Sequence, residues 1–182
     1  TIYGQPSINI VGLGDTAVKE AKERLEAAIN NAEYDFPKMK IVINLSPSDM
    51  KKRGSHFDLG MAIGLLIRSN QITVNDIESF GFIGELSLNA DLRPCSGILP
   101  MVVAAKNSGI HNIVMPLQNI EEASLVKDIN IFGFETLKEV INFLEGVDPY
   151  TAKLSNNENE KIKLFDHMAK WKKMILSPGT YT

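Results

Sequence analysis

A short stretch near residue 55 combines side chains that could perform acid–base or nucleophilic chemistry. Ser55, His56 and Asp58 are the residue types of a hydrolytic triad, and they stand within the run Gly54-Ser55-His56-Phe57-Asp58. Triad members normally converge from separate parts of a fold, whereas adjacent side chains such as those of Ser55 and His56 generally diverge. A helix cap at Ser55 or Asp58 is therefore the stronger interpretation, because such oxygens satisfy free amides where a helix begins.

Three cations, Lys51, Lys52 and Arg53, come directly before this run. Lysine and arginine side chains bind phosphate groups independently of nucleotide sequence, so this loop is a candidate contact for DNA or for a partner protein. The chain as a whole carries a formal net charge of −3, which argues against wholesale coating of nucleic acid. A solvated loop without a specific role is the alternative.

A glycine-rich turn lies near the start of the chain. Residues Gly12 to Ala17 match the small-residue pattern of a dinucleotide-binding turn, after a strand-like segment and before an amphipathic helix. That chemistry needs an acid for the ribose at the end of the next strand, which here ends in Asn44-Leu45-Ser46. We therefore expect a tight turn with Asp15 or Thr16 as the helix cap, and dinucleotide binding stays an alternative.

Composition limits the remaining functions. The 182 residues are 44% hydrophobic, enough for one domain with a real core and a tail. The single cysteine, Cys95, permits no internal disulfide, so a reducing cytoplasm is the expected location. No apolar run reaches membrane-spanning length, and no signal peptide is visible. No phosphate-binding Gly-x-x-x-x-Gly-Lys-Ser/Thr and no metal-ligand spacing occurs, so no cofactor or metal is predicted.

Strand-like and helix-like segments alternate along the chain and predict a single α/β or α+β domain over residues 1–148. Residues 149–182 form a polar, basic tail whose apolar residues have helical spacing. In the first helix, Glu20 and Arg24 stand at ion-pair spacing. The predicted strands are 8–11, 40–46, 80–88, 92–93, 112–115 and 129–132, with a turn at 89–91. The predicted helices are 16–31, 59–67 (buried), 72–79, 97–108, 120–126 and 136–145.

Several local motifs occur in a fixed order along the chain. They are Ile10-Val11-Gly12-Leu13, Asp15 to Glu20, Lys52 to Leu59, Gly84 to Leu88, Leu92-Arg93-Pro94 and Gly97 to Pro100. Together they resemble the N-terminal domain of the magnesium-chelatase-like AAA+ ATPases, the YifB or ComM competence family. The resemblance runs from about residue 8 to residue 146. It departs from the family at Gly14 and Gly60, where proline is usual.

The resemblance implies a fold similar to the proteolytic domain of Lon protease, in the ribosomal protein S5 domain 2-like class. Lon uses a serine and a lysine. Their positions correspond here to His56 and Leu99, and no lysine lies between Asp91 and Ala105. A serine without a base is not activated. The resemblance therefore implies a Lon-like domain without catalysis, and a residual peptidase using Ser55 is the alternative.

The resemblance also implies partners. In this family the domain precedes an AAA+ ATPase that acts on DNA as a hexameric ring, in branch migration during DNA uptake and recombination. ATP and magnesium are expected only for such a downstream module. For this chain we expect ring assembly with other copies, together with contact to single-stranded DNA, branched DNA or a partner.

Overall fold

The computed structural model describes residues 7–45, 54–147 and 150. The chain separates into two compact units, residues 1–148 and 149–182. The description that follows concerns the first unit. Lys51, Lys52, Arg53 and the basic part of the tail lie outside the described residues. None of the described helices is both long enough and apolar enough to cross a bilayer.

The first structural layer is a parallel pair of strands joined by a helix. Strand β1 (Ile8–Val11) pairs with β2 (Ile41–Asn44), and Ile8 lies opposite Ile41. Helix α1 (Asp15–Asn31) connects them. Its apolar residues recur at helical spacing, so one face is buried. The buried residues of this face are Ala21, Leu25, Ala28 and Ile29.

The turn into α1 uses glycine instead of a side-chain cap. Gly12 has a φ of 103°, a conformation that favours glycine. Gly14 occupies the N-cap position, and no side chain accepts a hydrogen bond there. The predicted cap at Asp15 or Thr16 is therefore wrong, because both residues lie inside the helix, which begins at Asp15. Asp15 instead places its charge in the first turn, near the positive end of the helix dipole.

Helix α2 (Asp58–Arg68) is the buried helix that the apolar run predicts. Leu59, Ala62 and Leu66 have no exposed surface. A 3₁₀ turn over Gly54–Phe57 precedes it. The predicted cap at Ser55 or Asp58 is wrong, because Phe57 is the N-cap and no side-chain cap bond forms.

A second parallel sheet contains three strands in the order β3-β6-β7. Strand β3 is Phe80–Phe82, β6 is Asn112–Pro116 and β7 is Asn130–Phe134. All five residues of the central strand β6 are buried, as expected for a strand covered on both faces. The helix predicted at 72–79 is wrong. Only a 3₁₀ turn over Ile77–Ser79 forms there.

The strand predicted at 80–88 is in fact two short strands. After β3 the chain leaves the sheet at Gly84, whose N–H donates to the His56 carbonyl and whose carbonyl accepts from the Leu59 N–H. Strand β4 (Glu85–Leu86) then pairs antiparallel with β5 (Leu92–Arg93). The predicted hairpin is confirmed.

The remaining helices complete the mixed α/β architecture. They are α3 (Ile98–Asn107), α4 (Ile120–Ala123) and α5 (Leu137–Leu144). The helix predicted at 120–126 is shorter than expected. Helix α5 begins with a capping box between Thr136 and Glu139, in which each residue bonds to the backbone of the other.

Candidate functional site

The turn before α2, Gly54–Phe57, places the polar side chains of Ser55 and His56 partly or fully inside the protein. Ser55 is half-buried and His56 is buried, both within the 3₁₀ turn before α2. Backbone bonds between this turn and Gly84 join the loop to the segment between β3 and β4. The loop is therefore a junction between two parts of the fold.

Asp58 is the first residue of α2 and is completely buried. Its Oδ2 accepts from Arg24 Nε at 2.7 Å, and its Oδ1 accepts from Arg24 Nη2 at 3.1 Å. Leu86 donates its backbone N–H to the same carboxylate at 3.2 Å. One carboxylate therefore joins α1, α2 and β4. Arg24 bonds to Asp58 across the fold and not to Glu20 along its own helix.

Opposing effects act on the ionisation of this pair. Burial raises the pKa of the Asp58 carboxyl, while the hydrogen bonds from Arg24 and Leu86 oppose that rise. The bond to Asp58 raises the pKa of the Arg24 guanidinium. All three donors, two from Arg24 and one from Leu86, point at the Asp58 carboxylate. An ionised carboxylate can only accept hydrogen bonds. The geometry therefore favours the ion pair at neutral pH.

The ring of His56 makes one hydrogen bond among the described residues. Its Nε2 lies 2.9 Å from the Ser96 carbonyl oxygen. Because a carbonyl only accepts, this contact requires a proton on Nε2. Nδ1 is buried and has no hydrogen-bond partner among the described residues. The structure thus does not pair His56 with the Ser55 hydroxyl, and it brings no triad together in the part that it describes.

The resemblance predicts that His56 and Leu99 occupy the two positions of the Lon dyad. Leu99 lies near the start of α3, and its N–H lies 3.4 Å from Glu122 Oε1. A carboxylate is favourable beside the free amides of a helix start. The described residues contain no group of three His, Cys, Asp or Glu side chains that could hold a metal ion.

A second buried polar contact lies just before α3. Asn119 accepts from the Cys95 N–H at 2.9 Å and donates to the Cys95 carbonyl at 2.9 Å. Burial raises the pKa of the Cys95 thiol, which therefore favours the neutral form. This amide pair joins the segment after β5 to the turn before α4, and we assign it a structural role.

The glycine turn at Gly12 to Ala17 does form between a strand and a helix, as a dinucleotide turn would. The next strand, β2, ends at Asn44 without an acid. The described geometry therefore supplies the turn but not the ribose-binding carboxylate that this chemistry uses.

An open groove of about 590 Å³ lies between β2 and α2. Apolar side chains such as Met61, Leu65 and Phe82 line it, and Gly60 and Gly64 of α2 face it. Lys40 and Arg68 are the charged residues among its described lining, and both are cations. The sequence alone does not predict this groove. The spacing of Gly60 and Gly64 by four residues, inside an otherwise apolar helix, was the available signal.

The comparisons with known proteins place the chain in a family. Residues 1–119 match the family model described as subunit ChlI of Mg-chelatase. Over 143 residues the chain is 40% identical to "Competence protein ComM" of Haemophilus influenzae and 39% identical to "Uncharacterized protein YifB" of Salmonella typhimurium. These matches cover 79% of the chain but only 28% of each relative.

A more distant similarity points to proteases. The chain is 29% identical to "Lon protease 2" of Bacillus subtilis over 98 residues, which is 53% of the chain and 17% of that protein. The family-model match covers more than half of the chain, and the relatives named ComM and YifB match most of it. The chain therefore belongs to the magnesium-chelatase-like family of ComM and YifB.

Proposed function

We propose that this chain is a non-catalytic, Lon-like domain of a magnesium-chelatase-like AAA+ ATPase. Its role would be ring assembly and contact with DNA or a partner during DNA uptake and recombination, including branch migration. The observation that supports this most strongly is the 40% identity to a protein named for competence. ATP and magnesium would bind in an ATPase module outside the sequence of this chain, which itself has no phosphate-binding glycine motif.

The proposed fold class is ribosomal protein S5 domain 2-like. The distant similarity to Lon protease and the parallel pairing of β1 with β2 around α1 support it. An experimental structure of the chain would test this class. A structure in which β1 and β2 are not parallel neighbours would contradict it.

DNA contact is assigned to Lys51, Lys52 and Arg53. Such contacts are weak and salt-dependent, and each lost phosphate contact lowers the slope of log affinity against log salt by about one unit. Fluorescence anisotropy with single-stranded and branched DNA would compare the wild type with Lys51→Ala/Lys52→Ala/Arg53→Ala. The matched control is Lys19→Ala/Lys22→Ala/Lys38→Ala, which removes the same charge elsewhere. Equal affinities for both triple variants at every salt concentration would exclude the loop as the DNA site.

Ring assembly is tested on the full-length protein by sedimentation velocity with and without ATP and magnesium. We expect a hexamer whose formation weakens when this domain is deleted. A hexamer of unchanged stability after the deletion would remove assembly from the proposed role. Branch-migration assays on the same two proteins would then show whether the domain serves DNA contact alone.

Catalytic silence is the second part of the proposal, and it follows from His56 and Leu99 at the dyad positions. A fluorophosphonate probe and unfolded casein would report any activated serine. Ser55→Ala is compared with Ser108→Ala, which changes an exposed serine on another element. Labelling or cleavage that disappears only in Ser55→Ala would establish the residual peptidase instead.

Dinucleotide binding is the remaining alternative. Calorimetry with NAD would test it, and Gly12→Val is the informative variant because Gly12 has a positive φ. We expect no heat of binding with either protein. Binding by the wild type that weakens in a still-folded Gly12→Val variant would support the dinucleotide function.

A further inference from the structure

The groove between β2 and α2 has the features of a binding site for an extended peptide. Its first feature is the edge of β2 that faces away from β1. Ile41 donates its N–H to Ser7, just before β1, and Leu45, just after β2, donates to Val11, so the odd-numbered positions bond toward β1. In a parallel ladder the intervening residues point their N–H and C=O groups away. The backbone groups of Val42 and Asn44 therefore face the other side, and they find no partner within residues 7–45 and 54–147.

The second feature is the shape of the groove beside that edge. A Cβ on Gly64 would meet no atom within 4 Å, so α2 leaves open space where other residues would fill it. Met61, Leu65 and Phe82 supply apolar walls. On the outer face of the sheet, the Val42 side chain is 60% exposed. A strand added to β2 would pair its backbone with this edge and bury alternate side chains against these surfaces.

The third feature is charge. Lys40 and Arg68 both line the groove, no acid is present among its described lining residues, and neither cation takes part in an ion pair within the described residues. Exposed strand edges normally carry charge to discourage unwanted pairing. Two positive charges at the groove repel cationic segments and favour a strand that carries carboxylates.

A second copy of this chain does not fit the groove as well. The described strands carry a single acid, Glu85, and its strand β4 is already paired with β5. The charge complementarity therefore points to a different polypeptide. We propose that the groove between β2 and α2 binds an extended, acidic segment of a partner protein by adding it as a strand to β2.

The test uses the whole chain and fluorescence anisotropy with three labelled probes. They are a peptide in which glutamate and valine alternate, its counterpart with lysine in place of glutamate, and an oligothymidylate. We expect the glutamate peptide to bind at least about tenfold more tightly than the lysine peptide, because two groove cations face its carboxylates. No saturable binding of the glutamate peptide would overturn the proposal.

Charge reversal identifies the site. The variant Lys40→Glu/Arg68→Glu should bind the glutamate peptide at least about tenfold more weakly than the wild type does, and it should bind the lysine peptide more tightly. The control Lys19→Glu/Lys22→Glu makes the same change of charge on α1 and should leave both affinities as in the wild type. Equal loss in both variants would mean that net charge, and not the groove, binds the peptide.

Two further variants separate the backbone edge from the charges. Val42→Pro removes an N–H that faces the groove but no bond to β1, and Gly64→Leu fills the open space in α2. Each should weaken the glutamate peptide at unchanged circular dichroism. Unchanged affinity in folded Gly64→Leu would overturn the proposal. So would tighter binding of oligothymidylate at this groove, or a concentration-dependent dimer that Lys40→Glu/Arg68→Glu abolishes.

Discussion

The two ends of α2 use polar residues in opposite ways. At its start, Asp58 is fully buried and accepts three hydrogen bonds, from Arg24 and Leu86. At its end, Arg68 lines an open groove and takes part in no ion pair within the described residues. Asp58, a residue type that active sites use, thus holds three elements together, whereas the groove beside the other end of α2 is apolar and lined by cations.

This difference separates stability from binding. A charge that is buried and bonded cannot be removed without leaving its partners unsatisfied. A charge that faces an open groove can be changed with little effect on folding. We call a buried polar contact whose groups are all bonded a closed contact, and a residue that faces a groove or solvent an open position. The contrast predicts that substitutions at closed contacts lower the free energy of unfolding strongly. Substitutions at open positions should leave it nearly unchanged or increase it.

The largest effect is expected for Asp58→Ala. Removing the carboxylate leaves the Arg24 guanidinium part-buried and the Leu86 N–H without an acceptor, which should lower the free energy of unfolding by about 3 kcal/mol. Urea denaturation measures it. Asp15→Ala is the control, because Asp15 is an exposed acid in the first turn of the other helix. A loss at Asp58 no larger than that at Asp15 would contradict the comparison.

The double variant Arg24→Met/Asp58→Ala sharpens the same point. It removes both charges, so no uncompensated charge remains, and we expect it to be more stable than Asp58→Ala alone. Double-mutant analysis of the urea midpoints measures the coupling. Additive losses at the two positions would show that the contact has no energetic role.

The next largest effect is expected for Asn119→Ala. It removes an acceptor from the Cys95 N–H and a donor from the Cys95 carbonyl, two buried backbone groups, and should cost about 2 kcal/mol. Gln118→Ala is the control, because this neighbour is exposed. Thermal and urea unfolding of the two variants should differ clearly. Equal stabilities of Asn119→Ala and Gln118→Ala would show that the Asn119–Cys95 contact does not stabilise the fold.

Sequence predicted the elements better than it predicted the role of polar side chains. The buried helix, the alternation of strands and helices and the β4–β5 hairpin follow from apolar periodicity and turn residues, which act locally. The helix caps were wrong at both sites. Arg24 pairs with Asp58, 34 residues away, whereas spacing along helix α1 predicted Glu20 as the partner of Arg24. Such a contact depends on how α1 and α2 pack, which local pattern does not encode.

The groove was missed for a related reason. Gly60 and Gly64 are visible in the sequence, but their meaning depends on which strand lies beside α2. Lys40 and Arg68 are 28 positions apart and meet at one groove only in the folded chain. The prediction of one strand over 80–88 is wrong for a similar reason. Gly84 bonds to the turn before α2, which is a tertiary contact, and the strand is divided there. Both cases depend on contacts between distant segments.

A smaller effect of opposite sign is expected at the open side of α2. Gly64→Ala adds a methyl group where no atom lies within 4 Å and reduces the freedom of the unfolded chain, so it should raise stability by about 0.5–1 kcal/mol. Gly133→Ala is the matched control, because its Cβ would collide with the Ile120 side chain. Urea midpoints should shift in opposite directions. A loss of stability in Gly64→Ala would show that the space is already filled.

The smallest effect is expected for Lys138→Ala, which removes an exposed ion pair. Lys138 Nζ lies 2.6 Å from Glu33 Oε2, and this bond lowers the pKa of the Glu33 carboxyl from its ordinary value of 4.5. Because the folded pKa is the lower one, the pair stabilises the fold above the unfolded pKa. That contribution disappears as pH falls through the folded pKa.

Melting curves of the wild type and Lys138→Ala test this exposed pair at neutral and acid pH, each at low and high salt. We expect a slight advantage for the wild type only at neutral pH and low salt, since salt screens exposed charges. Lys19→Ala is the control, because it removes an exposed lysine that forms no ion pair among the described residues. A higher melting temperature of the wild type that persists at high salt would show that this exposed pair stabilises the fold as a closed contact does. The contrast between the two ends of α2 would then not extend to charges on the surface.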